Sequence, residues 1–283
     1  MDGIILINKE KQYTSHDVVA KLKKILNEKK VGHTGTLDPN ATGVLPILLG
    51  NATKISKYLI EHDKEYEVVL KLGEKTSTGD AEGEVIETKD IDINEISIEK
   101  IKNVLNEFVG IITQIPPMYS AIKIKGKKLY EYARQGKIVE IPKREIEIYN
   151  IEFNKLDKEN KLIYFKVECS KGTYIRTLCE DIADKLETVG YMNELKRIKV
   201  GRFTINNSVK IDDNNLESYV MPIEEIFKSI EKIELKEYEL EGFLNGVLLS
   251  YCLENGLYKI YNGNIFVGLG IIEDKKLKRD VIV

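Results

Sequence analysis

The chain has 283 residues, 42% hydrophobic and 31% charged, with a formal net charge of −3 and no tryptophan. This is the composition of an ordinary globular protein; no apolar run approaches the ~20 residues that span a bilayer, and the acidic start MDGIILINKEK lacks the apolar core of a secretory signal, so a cytoplasmic location is expected. Cys169, Cys179 and Cys252 form no C-x-x-C pair and the three histidines are scattered, which argues against a disulfide framework or a metal site, while the negative balance argues against an indiscriminate nucleic-acid binder.

In chain order, residues 4–7 form an apolar run expected to be a buried strand. Thr14 and Ser15 then cap a helix carrying Val18, Val19, Leu22, Ile25 and Leu26 at helical spacing. Residues 53–60 read as a second helix, with Ile55, Tyr58 and Leu59 facing inward. In 64–72, Tyr66, Val68, Leu70 and Leu72 alternate with mostly charged residues, the pattern of a strand with one buried face. A polar loop over 73–83 leads to a short strand at 84–88, and Ser97 caps a helix with Ile98, Ile101, Val104, Leu105 and Phe108, stopped by Gly110.

Pro116-Pro117 forbids regular structure locally, and 128–135 predicts a short helix at the tip of a basic insertion. Ile163, Phe165, Val167 and Cys169 mark another strand, followed by a helix over 174–185 and strand over 191–203. Residues 212–217 read as a loop and 231–241 as a charged approach to a C-terminal segment. In that segment 258–261 and 265–267 flank Asn262-Gly263-Asn264, a hairpin signal. Some fifty residues bury little surface alone, so this piece is expected to dock on the main domain.

The most informative stretch is GHTGTLDPNATGVLPILLG, residues 32–50. Pro39 keeps Asp38 out of helical geometry, and the apolar run after it leads into the core. An isolated Asp-Pro pair is most simply a turn. Here His33, Thr34, Thr36, Asn40 and Thr42 crowd the same loop, which favours a carboxylate held for chemistry.

This segment resembles the catalytic motif of the bacterial tRNA pseudouridine-55 synthases, the TruB family. Four further stretches match in the same order: DKEYEVVLKLGEKTSTGDAEG (63–83), IPPMYSAIKIKGKKLYEYARQG (115–136), CSKGTYIRTL (169–178) and LKRIKVGRF (195–203). The resemblance covers roughly residues 1–229.

It implies an α+β fold, a mixed, largely antiparallel sheet flanked by helices with the active cleft across its middle. The catalytic domain would span 1–229, with the basic insertion at about 115–144. A small C-terminal β-rich piece, 230–283, would be PUA-like, a match resting mainly on FVGLG (266–270).

The implied activity is isomerisation of a T-loop uridine, position 55, by base flipping. The glycosidic C–N bond breaks and C5 of the same base joins C1′, so no cofactor and no metal is implied. The implied partner is the T-arm of tRNA, with no membrane and no obligate protein partner, the enzyme acting as a monomer. By resemblance Asp38 is the nucleophile, Arg176 its ion-pair partner and Asp80 a supporting acid beside that pair. Tyr66 stacks on the uracil and is a candidate for removing the C5 proton. Tyr174 and Leu195 contact the flipped nucleotide, and His33 enters the space it leaves.

Two basic clusters, residues 123–144 and Lys196, Arg197, Lys199 and Arg202, would each by charge alone be more simply a solvated face; that both fall inside the family motifs implies Lys123, Lys125, Lys127, Lys128, Arg134, Arg197 and Arg202 at RNA phosphates. One departure stands out. Relatives begin D-K-P-x-G-x-T-S, whereas this chain reads Asn8-Lys9-Glu10-Lys11-Gln12-Tyr13-Thr14-Ser15, which puts the geometry of that turn in question. Three other readings remain: a sibling synthase acting on another RNA or guided by one, a tRNA-binding or folding module with incidental catalysis, and a glycosidase. The last would ordinarily show a second catalytic carboxylate and sugar-stacking tryptophans.

Overall fold

The structure is a computed structural model that describes residues 1–60, 62–137 and 139–283. Seven strands make the long path of a nine-stranded sheet, in the order Gly3–Lys9, Thr42–Leu49, Gly190–Val200, Lys64–Leu72, Leu162–Cys169, Arg144–Asp157 and Gly110–Gln114. Neighbours on this path are antiparallel, except that Gly190–Val200 runs parallel to Thr42–Leu49 through Lys196 and Arg197. This is the mixed, largely antiparallel α+β sheet expected from the sequence.

The apolar run near the N-terminus is continuous because both faces of that strand are covered. Ile5 and Ile7 face the main core with helices Ser15–Ile25 and Ile175–Lys185, while Ile4 and Leu6 face a second core with Ile55, Leu59, Phe203 and Phe227. Thr42–Leu49 divides in the same way, Leu45 and Ile47 to one side and Val44 and Leu48 to the other. Toward the far edge only one face is buried, and Leu162–Cys169 shows strict alternation.

Some elements depart from expectation. Residues 53–60 are not one helix: a 3₁₀ helix, Gly50–Ile55, gives way at Ser56 to a single α-turn, Lys57–Ile60. Residues 74–76 of the expected polar loop pair with Val85–Thr88 as a small hairpin. The charged approach contains a strand, Lys232–Glu234, and a helix, Glu237–Leu244. The insertion carries a hairpin, Lys123–Ile124 with Lys127–Lys128, before the expected short helix, Leu129–Arg134.

The C-terminal segment forms a five-stranded sheet ordered Lys232–Glu234, Gly256–Asn262, Ile265–Glu273, Lys276–Ile282 and Leu249–Ser250, including the hairpin at Asn262-Gly263-Asn264. It docks on the rest of the chain: Leu269 and Val281 enter the second core, and the Asp280 carboxylate accepts from the Tyr58 hydroxyl and from Lys57.

Candidate active site

A cavity of about 950 Å³ opens across the middle of the sheet. Among the residues with expected roles, Asp38, Tyr66, Lys128, Tyr174, Arg176, Leu195 and Arg197 line it. They come from five separate parts of the chain, so the fold assembles what the sequence keeps apart.

Asp38 sits on a loop pinned at both ends. On the N-terminal side, the Ser15 hydroxyl accepts from the Leu37 N–H (2.9 Å) and donates to the Leu37 carbonyl (3.3 Å). Ser15 is itself fixed because Thr14 and Asp17 form a reciprocal capping box at the start of its helix. On the other side, Lys9 is 1% exposed, and its ammonium donates to the carbonyls of Pro39 (2.8 Å), Tyr13 (2.6 Å) and Glu10 (3.1 Å). Burial lowers the Lys9 amine to about 8. In the unusual N-terminal motif Gln12, where relatives have glycine, takes the left-handed conformation at φ 69°, at an expected cost of roughly 1–2 kcal/mol.

Gly43, just past the loop, has no such freedom. At φ +109° an added Cβ would lie 2.1 Å from the Arg197 carbonyl oxygen, so only glycine lets these two strands meet.

Arg176 lies in the first turn of Ile175–Lys185 and is 7% exposed. Its guanidinium meets Asp38 side-on, Nε to Oδ2 at 3.2 Å and Nη2 to Oδ1 at 3.5 Å. The remaining N–H groups reach Asp80 Oδ2 (3.5 Å) and the carbonyls of Thr78 (3.2 Å) and Tyr119 (2.8 Å). Asp80 is in turn held by the Thr78 hydroxyl (2.6 Å) and the Glu82 N–H (3.1 Å). Burial raises the Asp38 pKa above the ordinary carboxylate value; Arg176 opposes this most strongly and Asp80 adds to it.

Tyr66 and Leu195 are buried wall residues at 7% and 8% exposure. Burial pushes the Tyr66 phenol up to about 12. Tyr174 is half-buried, and the Gln114 side chain clamps both its backbone groups: its amide donates to the Tyr174 carbonyl (3.2 Å) and its oxygen accepts the Tyr174 N–H (3.0 Å). His33 ends the short strand Val31–His33 and makes an edge contact with His16 at 5.5 Å between ring centres. Its Nδ1 is buried without a partner, and burial lowers its pKa.

Of the basic residues expected at phosphates, Lys123, Lys125, Lys127 and Arg134 are exposed on the insertion, and Arg134 and Lys128 both lie over the Tyr130 ring. Arg202 is exposed, but its guanidinium is committed to the Glu225 and Ile226 carbonyls. Arg197 corrects the sequence reading. It is 1% exposed and bonds the Val44 and Gly35 carbonyls inside the sheet, so it cannot meet a phosphate on the surface. Lys9 and Gln114 were not singled out by the sequence as site residues. Lone polar residues beside apolar runs give no signal until the fold buries them.

Among the described residues no group of three or more His, Cys, Asp or Glu side chains could hold a metal ion, and no helix is long and apolar enough to cross a membrane.

Comparison with known proteins gives a consistent result. Residues 23–175 match the family model for the N-terminal domain of TruB family pseudouridylate synthases, and 176–228 match the tRNA pseudouridylate synthase B C-terminal domain. The chain is 47% identical over 279 residues to a tRNA pseudouridine synthase B of Clostridium tetani, covering 95% of each chain. It is 44% identical over 282 residues to one of Caldanaerobacter subterraneus subsp. tengcongensis, covering 98% of each. Among solved structures, a chain of a Cbf5–Nop10–Gar1 complex superposes with a TM-score of 0.70 at 26% identity, over 99% of this chain and 83% of that one.

Proposed function

The chain belongs to the TruB family of pseudouridylate synthases, and we propose that it converts the T-loop uridine at position 55 of tRNA to pseudouridine with Asp38 as nucleophile. The observation that carries this reading is the Asp38–Arg176 pair at the cavity wall, flanked by Tyr66 and Leu195. The guanidinium keeps a carboxylate ionised where burial would otherwise protonate it, and fixes its direction.

The reaction needs few parts. The C1′–N1 bond breaks, the base turns, C5 bonds to C1′, the C5 proton leaves and N1 gains a proton. Asp38 supplies the electron pair and is regenerated. Asp80 holds the far side of Arg176. Tyr66 stacks on the uracil and its phenol oxygen is the candidate to take the C5 proton. Tyr174 and Leu195 complete the walls around the flipped nucleotide, and His33 occupies the place vacated in the loop, offsetting part of the few kcal/mol that unstacking costs. The exposed lysines of the insertion hold the RNA backbone, which positions the substrate without reading its sequence.

The test is incubation of the purified protein with an unmodified tRNA transcript, followed by mapping of pseudouridine, beside Asp38→Asn. Pseudouridine at the T-loop position with wild type, and none with Asp38→Asn at undiminished tRNA binding, is the expected result. Modification elsewhere, or substantial product from the variant, would overturn the assignment.

A further inference from the structure

The bulkiest side chain among those less than 2% exposed is Arg197, at 1%. It sits on Gly190–Val200 directly across from Tyr66 in the antiparallel ladder and from Gly43 in the parallel one. Nε donates to the Val44 carbonyl at 2.9 Å and Nη2 to the Gly35 carbonyl at 3.2 Å. These partners are backbone carbonyls rather than carboxylates. The guanidinium lines the same cavity as Asp38 and Tyr66.

A buried guanidinium held this way is costly, and its charge is also felt by Lys9, His33 and Lys64, which are basic themselves. A methionine of similar length would fill the position at lower electrostatic cost, so packing alone does not account for a guanidinium here. Cross-strand neighbours have Cβ atoms about 5 Å apart, which puts the arginine and the Tyr66 ring side by side. Cys169, from the neighbouring strand, and Asp38, from the loop, also face the phenol, and both oppose its ionisation; Arg197 favours it.

We propose that Arg197 is a positioning residue for Tyr66: locked by the Val44 and Gly35 carbonyls, its guanidinium holds the phenol oxygen toward the bound uracil and keeps positive charge beside it. The proposal rests on Tyr66 meeting the uracil. It differs from a purely structural role, in which Arg197 would only tie the Asp38 loop to the sheet.

The test is a double-mutant cycle on single-turnover pseudouridine formation in unmodified tRNA, using Arg197→Gln, Tyr66→Phe and the double variant, with tRNA affinity and thermal midpoint measured for each. Arg197→Gln is expected to slow the reaction about 10- to 100-fold, the worth of one charge-assisted contact, with tRNA affinity within about twofold because the residue is buried. In the Tyr66→Phe background the same substitution should cost less than about twofold more, since its target is already gone. Arg197→Lys, which keeps the charge, should recover part of the rate.

Equal losses in both backgrounds would overturn the proposal and leave Arg197 as a strut for the loop. Should Arg197→Gln fail to fold, the same cycle with Arg197→Lys decides between these outcomes. A full rate in Tyr66→Phe would overturn it as well, by removing any use of the phenol. The absence of pseudouridine with wild type would instead count against the assigned activity.

Discussion

Lys9 offers the sharpest test of how the loop bearing Asp38 is held. Lys9→Met keeps the length and most of the volume of the side chain but removes the ammonium that reaches Pro39, Tyr13 and Glu10. Hydrogen bonds from a charged group are worth about 1.5–3 kcal/mol each. Relief of the buried charge returns several kcal/mol of that sum, so a net loss of about 2–4 kcal/mol is expected. At roughly 2 °C per kcal/mol for a chain of this size, the thermal midpoint should fall by about 4–8 °C. The rate should fall less steeply than a free loop would imply, because Ser15 still holds Leu37 and Arg176 still holds Asp38. A loss of about tenfold is expected, below the ~100-fold that a 1 Å misplacement can cost. Thermal denaturation at pH 7 and single-turnover rates on unmodified tRNA measure the two effects. A midpoint within about 1 °C of wild type would show that the three carbonyls do not depend on Lys9, and the reasoning would fail.

Asp80→Asn should shift the acid limb of the pH–rate profile downward. As the proposed nucleophile Asp38 would have to be ionised, burial raises its pKa, and Asp80 raises it further; removing that like charge stabilises the ionised form, so activity should survive to lower pH, and an upward shift would contradict this electrostatic account. Replacing Lys125, Lys127 and Lys128 together with Ala should weaken tRNA binding and reduce the slope of log K against log salt by roughly one per lost phosphate contact; an unchanged slope would make them a solvated face. His33→Ala should slow reaction on a folded T-loop more than on a substrate whose uridine is already unstacked, by up to a few kcal/mol; equal losses on both would place His33 in the chemistry or in the loop's own folding.

The elements most legible in the sequence were those with an undisturbed period. Lys64–Leu72 and the three long helices, Ser15–Ile25, Ile98–Glu107 and Ile175–Lys185, lie where the spacing of their apolar residues puts them. The fourteen-residue strand Arg144–Asp157 was missed for a physical reason. Its pairing with Leu162–Cys169 shifts register between Ile148 and Asn150 and again between Phe153 and Lys155, so its apolar residues do not keep a period of two. Its first residue, Arg144, also reads as the end of the basic insertion. In the site, Asp38, Tyr66, Tyr174, Arg176 and Leu195, taken from the family motifs, line the cavity, whereas the basic cluster at 196–202 divides between two faces. Successive residues of a strand point to opposite faces. Lys196 accordingly pairs with Glu67 on the outer face (3.1 Å), whereas Arg197 goes inward. Four basic residues close in sequence therefore do not make one patch.

The same alternation bears on how a chain of net charge −3 can engage a polyanion. The residues lining the cavity include six basic side chains, Lys64, Lys128, Arg144, Lys171, Arg176 and Arg197, against two acidic ones, Asp38 and Glu145. Over the outer faces, by contrast, many lysines are matched by carboxylates, as in Lys166–Glu65, Lys196–Glu67 and Lys199–Glu168. Charges paired on an exposed surface cancel within a Debye length of about 8 Å at physiological salt. Buried charges such as Arg176 and Arg197 are screened much less, and a cleft focuses their field toward its mouth. The global sum thus says little about binding. What matters is local: around the cavity, where the proposed function places the flipped nucleotide, basic side chains outnumber acidic ones.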